Sequence, residues 1–101
     1  MKSFGDMVKQ AQKVQKQMAA LQEKLAEDRY EASAGGGAVR AVVDGRQMLK
    51  EITISPEALK DGDATLLEDL VLAAVGEAQR SSEARMNESL GKLTGGFNLP
   101  F

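Results

Sequence analysis

Residues 30–55 read YEASAGGGAVRAVVDGRQMLKEITIS, and their period-two alternation decides the fold class. Tyr30, Ala32 and Ala34 alternate with Glu31 and Ser33, a first strand. Gly35-Gly36-Gly37 follows and reads as a hairpin turn. A phosphate loop would need a Gly-Lys-Ser/Thr ending and a helix after it, and neither is present. Val39, Ala41 and Val43 form the next alternating run, with Arg40 between them. Asp44-Gly45 predicts a two-residue hairpin. The third strand is expected from about Arg46 to Ser55. It sets Met48, Lys50, Ile52 and Ile54 against Leu49, Glu51 and Thr53. Three short strands joined by two tight turns make an antiparallel meander.

On the N-terminal side the period changes from two to three and four. Phe4, Met7, Ala11, Val14, Met18, Leu21 and Leu25 form an apolar seam at heptad spacing. Ser3 is a plausible N-cap, Asp6 complements the helix start, and nothing breaks the helix before about Asp28. Some 25 residues at about 1.5 Å each make a rod of roughly 38 Å. A compact domain of this size is only about 33 Å across. The helix must therefore project or lie along a partner.

On the C-terminal side, Ser55-Pro56-Glu57 reads as the cap and first turn of a short helix, which ends by Asp61-Gly62. Asp63 then caps a second long helix from about Ala64 to Leu90. Its first half is apolar nearly all round, through Leu66, Leu67, Leu70, Val71, Leu72, Ala73, Ala74, Val75 and Ala78. Such a helix is buried on more than one side. One side can cover the sheet, and the other needs a second subunit or the first helix. The expected division is one domain: a helical arm over 1–28, the meander over 29–55, a short helical turn over 56–62, a second long helix over 63–90 and a Gly-rich apolar tail over 91–101. The class is α+β in the order α-β-β-β-α.

Cysteine and histidine are both absent from the 101 residues. Disulfides, thiol chemistry, the commonest metal ligand and the commonest general base go with them. Glu68 and Asp69 sit where they complement a helix dipole. No enzyme, cofactor, metal site or small-molecule substrate is expected. No stretch approaches the roughly 18 apolar residues that span a bilayer, so no membrane is expected either. The formal charge of −2 hides a polarised arrangement. Residues 1–22 carry Lys2, Lys9, Lys13 and Lys16 against Asp6 alone. Residues 57–77 carry Glu57, Asp61, Asp63, Glu68, Asp69 and Glu77 against Lys60. Arg80, Arg85 and Lys92 then return the second helix to a slight positive balance over Glu83 and Glu88. If the two helices are antiparallel, both basic segments meet at one end, where a phosphate backbone is attracted. Lysines opposite a heptad seam also make an ordinary solvated face.

The element order and several motifs together resemble the YbaB/EbfC family of bacterial nucleoid-associated proteins. The stretches are MVKQAQKVQKQM at Met7–Met18, SAGGGAV at Ser33–Val39, Asp44-Gly45, ITISPEAL at Ile52–Leu59, LEDLVLAAVGEA at Leu67–Ala78 and GKLTGGFNLP at Gly91–Pro100. The resemblance covers essentially the whole chain. It implies a tweezer-like, intertwined homodimer that binds duplex DNA in the cytoplasm, at the nucleoid, without enzymatic activity. The sheets and the apolar half of helix two would form the shared centre, with Leu66, Leu67, Leu70, Val71, Ala74 and Val75 at the dimer interface. The start of helix one and the end of helix two would form projecting arms.

On that basis Lys2, Lys9, Lys13 and Lys16 are expected to contact phosphates, supported by Arg80, Arg85 and Lys92. Such contacts give affinity without sequence information. Gln10, Gln12, Gln15 and Gln17 read first as plain helix-forming polar residues and only second as readers of base edges, adenine best of all. A second reading makes the arms a scaffold for a replication or recombination protein, with Met7 and Met18 as adaptable contacts. Within one chain the heptad seam is expected to be satisfied by helix two, stiffening the arm.

Overall fold

The computed structural model describes residues 3–60 and 62–94, with side chains as far as Lys92. The elements run α1 (Phe4–Glu27), β1 (Tyr30–Ala34), β2 (Val39–Val43), β3 (Leu49–Ile54), α2 (Pro56–Lys60) and α3 (Ala64–Thr94). The strands pair antiparallel in the order β1-β2-β3, as the meander requires.

Caps explain the helix starts. The Asp6 amide donates to Ser3 Oγ at 3.2 Å, and the Met7 amide to the Ser3 carbonyl at 3.1 Å. Ser55 caps α2 through the Ala58 amide, and Asp63 caps α3 through the Leu66 amide at 3.0 Å. At the end of α1 the Arg29 guanidinium donates to the carbonyls of Ala26 and Asp28, both at 2.8 Å. The carbonyls that a helix end leaves unpaired are thus partly satisfied. The three glycines of the β1–β2 turn all have positive φ, which is why this turn takes glycine. The first of them, Gly35, also lies so close to Leu70 that a Cβ there would meet Leu70 Cδ2 at 2.9 Å.

α3 lies across β1 and β2. Val39, Ala41 and Ala74 are the centre of the core, with Ala34, Ile54, Leu67, Leu70, Val71 and Val75 around them. Ala74, Ala78 and Ser82, spaced by one helical turn each, are completely buried. Small residues on that stripe let the helix axis approach the sheet closely.

Four expectations are corrected. Asp44-Gly45 is not a two-residue hairpin. β2 and β3 are joined by residues 44–48, closed by the Asp44 amide donating to the Met48 carbonyl at 2.9 Å. The Asp44 carboxylate takes the amides of Arg46 (2.8 Å) and Met48 (3.0 Å), which holds the loop open at this length. β3 consequently begins at Leu49. Its phase also changes: Glu51 faces Val42 but Leu49 faces Val43, leaving Lys50 as the extra residue of a bulge. Leu49 therefore shares a face with Ile52 and Ile54, opposite Val43, Ala41 and Val39.

The third correction concerns the heptad seam. Leu25 is 2% exposed, but Met7 is 58% and Phe4 81% exposed. Between them Val14, Met18 and Leu21 are half-buried, so the seam is covered toward its C-terminal end and open at its tip. The hydrogen-bonded anchor lies at the Leu25 end. The Leu25 carbonyl accepts from the Gly45 amide at 2.7 Å. Ser82 Oγ donates to the Asp44 carbonyl at 2.7 Å and accepts from the Gln47 amide at 3.1 Å. The 44–48 loop thus ties Leu25 of α1 to Ser82 of α3. Beyond that tie α3 continues for roughly 18 Å, whereas α1 reaches back for roughly 32 Å. The described residues span 69 × 23 × 16 Å, with a radius of gyration of 19.5 Å. A compact chain of this size would have about 13 Å. α3 also runs to Thr94, so residues 91–94, expected in the tail, are helical. The rest of the tail, including Phe97 and Phe101, lies outside the described residues, as do Lys2 and Asp61.

Candidate nucleic-acid interface

A helix turns about 100° per residue, so Lys9, Lys13 and Lys16 lie within about 60° of one another. They follow the axis over about 10.5 Å, on the side of α1 opposite the seam. All three are exposed. With Gln12, Gln15 and Ala19 they line one shallow open groove. None of the three forms an ion pair with a described residue. Three ammonium groups with no internal partner, side by side on a rigid rod, can neutralise consecutive phosphates. Gln10 and Gln17 point to another side of α1, away from the groove that Gln12 and Gln15 share.

The cations of α3 are arranged differently. Arg80 and Arg85 are about 140° apart around the helix, so they do not share a face. Arg80 makes no ion pair with a described residue. Arg85 and Lys92 do share a face, and both converge on Glu88 Oε1, Nη1 of Arg85 at 3.3 Å and Nζ of Lys92 at 3.5 Å. Arg85 also reaches Tyr30. Burial pushes the Tyr30 hydroxyl above its ordinary pKa, and Arg85 works against that rise. The sequence reading missed this pairing, although the spacing Arg85-x-x-Glu88-x-x-x-Lys92 places all three on one helical face.

At the root of the arms Asp44 is fully buried. Burial alone would raise its pKa. The amides of Met48 and Arg46, with the charges of Arg46 and Lys50, outweigh that and hold the carboxyl below its ordinary value. On the outer face of the sheet, Arg40 pairs with Glu31 and, at 3.3 Å, with Glu51. Hydrogen bonding to Arg40 lowers the Glu31 pKa. That face is internally neutralised and offers little to a phosphate.

Of the expected interface residues, Ala74 is fully buried inside its own subunit. Leu67, Leu70, Val71 and Val75 are partly buried against that same core. Leu66 is exposed, and so are Leu72, Leu49 and Ile52, which the sequence reading left out of the interface.

The sequence model of the YbaB/EbfC DNA-binding family matches residues 1–97. The chain belongs to this family. Similar bacterial proteins include a nucleoid-associated protein of Acetivibrio thermocellus, 49% identical over 95 residues, covering 94% of this chain and 84% of that one. Another, from Caldanaerobacter subterraneus, is 44% identical over 98 residues, covering 97% and 88%. An uncharacterized protein of Helicobacter pylori shares the fold at a TM-score of 0.81 and 20% identity, over 92% of this chain and 99% of that one. No described helix is long and apolar enough to cross a membrane. Within the YbaB/EbfC α-β-β-β-α frame, the lysines of α1 are unpaired among the described residues and the cations Arg85 and Lys92 of α3 are paired.

Proposed function

We propose that this YbaB/EbfC chain binds duplex DNA as a homodimer, chiefly through phosphate contacts from the outer face of α1. It would work at the nucleoid, in the cytoplasm, in DNA organisation or gene regulation, with no catalytic step. The observation that carries this is the unpaired, co-facial set Lys9, Lys13 and Lys16. Lys2 extends the same heptad-spaced face in sequence, and Arg80, Arg85 and Lys92 are secondary contacts. The homodimer is supported by apolar surface that a lone subunit leaves in water: Leu72 at 72% exposure, with Leu49, Ile52 and Leu66. Leu67, Leu70, Val71 and Val75 flank the same half of α3, with Ala74 as backing.

The test pairs native mass with retardation of a random-sequence duplex at low salt. A dimeric mass with retardation supports the reading; a monomer, or no retardation at low ionic strength, contradicts it. One observation favours a second reading, in which the arms hold a replication or recombination protein. Phe4, Met7 and Val8 form an exposed apolar edge on α1 that phosphate binding does not use. A partner captured equally well after nuclease treatment, and lost on Met7→Gln, would favour it.

A further inference from the structure

Arg85, Glu88 and Lys92 are the only described cluster in which two expected DNA-binding cations share one acceptor, and that acceptor is a single carboxylate oxygen. Their side chains are 50%, 54% and 73% exposed, so a phosphate can reach all three. Exposed ion pairs of this kind contribute only about 0–1 kcal/mol each. A DNA backbone oxygen can therefore replace Glu88 as the acceptor, but only by breaking both pairs and approaching a carboxylate. No comparable carboxylate pairs with the lysines of α1.

We propose that Glu88 is an internal stand-in for a DNA phosphate: it holds Arg85 and Lys92 in reserve and so limits both the strength and the salt dependence of DNA binding. This rests on the DNA-binding reading above. Bound to Glu88, the two cations add little to counterion release on DNA binding, because their charge is already partly compensated. Engagement of α1 alone leaves Glu88 in place. A DNA path that also touches α3 must displace it. Glu88 thus makes α1 the first contact and α3 a conditional one.

The experiment compares Glu88→Gln with Glu83→Gln on the full chain. Both remove one negative charge from the exposed surface of the same helix, but Glu83 has no ion pair with a described residue. Glu88→Gln is expected to tighten duplex binding about three- to tenfold near 0.1 M salt and to steepen the slope of log K against log[salt] by about 2 per engaged arm. Glu83→Gln should stay within about twofold of wild type and keep its slope. Lys92→Gln should cancel part of the gain when combined with Glu88→Gln, the non-additivity expected of groups in contact. Equal effects of the two Glu variants, or an unchanged slope in Glu88→Gln, overturn the proposal while leaving DNA binding by α1 intact. Failure of both wild type and Glu88→Gln to bind duplex at low salt overturns the DNA-binding reading and this proposal with it.

Discussion

The body and the arms of this molecule are built on opposite terms. In the body, Ala74, Ala78 and Ser82 of α3 are fully buried, as are Val39, Ala41 and Val43, and the sheet's Arg40 and the buried Asp44 have charged partners. In the arms, α1 is fully buried only at Leu25 and half-buried at Val14, Met18 and Leu21, with its apolar seam in water at Phe4 and Met7 and Lys9, Lys13 and Lys16 without an ion pair among the described residues. The body spends its residues on internal satisfaction. The tip of α1 leaves its residues available. Stability should therefore be lost through the body and binding through the arms.

The strongest way to break that division is charge reversal of Lys9, Lys13 and Lys16 together. Duplex affinity should fall at least about a hundredfold, roughly 3 kcal/mol. Native mass and the denaturation midpoint should not change. A large loss of stability in this variant would mean that α1 is part of the body after all.

The converse substitution is Gly45→Ala. Its Cβ would sit 2.6 Å from the Leu25 carbonyl oxygen and 3.0 Å from Leu25 Cα, both backbone atoms. One of the two segments must shift, at a cost of about 1–3 kcal/mol. Chemical denaturation reads that cost. A midpoint equal to wild type would show that the root of the arm is looser than its hydrogen bonds indicate.

A pH titration sharpens the same comparison. Asp44 has its pKa lowered in the folded chain, so its contribution to stability is present above the unfolded value of about 3.9 and lost as pH falls through the folded one. Wild type should lose stability below about pH 4. Asp44→Asn, less stable at neutral pH, should lose less on acidification. The smallest effect is expected at the arm's tip: Met7→Gln should move stability by less than about 0.5 kcal/mol, since Met7 is already mostly in water.

The same division separates what was legible in the sequence from what was not. Local chemistry was readable: Ser3 and Asp63 cap their helices, and the three glycines turn the first hairpin. The family resemblance rested on motifs spread along the whole chain. Contacts between distant segments were not readable. Asp44-Gly45 has the composition of a tight turn, but Gly45 is committed to Leu25, 20 positions away, and Asp44 to Ser82, 38 positions away. The bulge at Lys50 moved Leu49 onto the core face, which strict alternation could not anticipate. The seam of α1 was visible as periodicity, but not where its partner would end. The acceptor shared by Arg85 and Lys92 could have been found from helical spacing, because all three residues lie within two turns.

The central claim is that phosphate contacts from the lysine face of α1 carry DNA binding. The salt dependence of duplex affinity tests it most directly, measured as log K against log[salt] for wild type and for Lys9→Gln, Lys13→Gln, Lys16→Gln combined. With six to eight phosphates neutralised per dimer, the account predicts a wild-type slope of about −5 to −7, reduced by several units in the triple variant. A flat wild-type slope, or the same steep slope in both proteins, would contradict it.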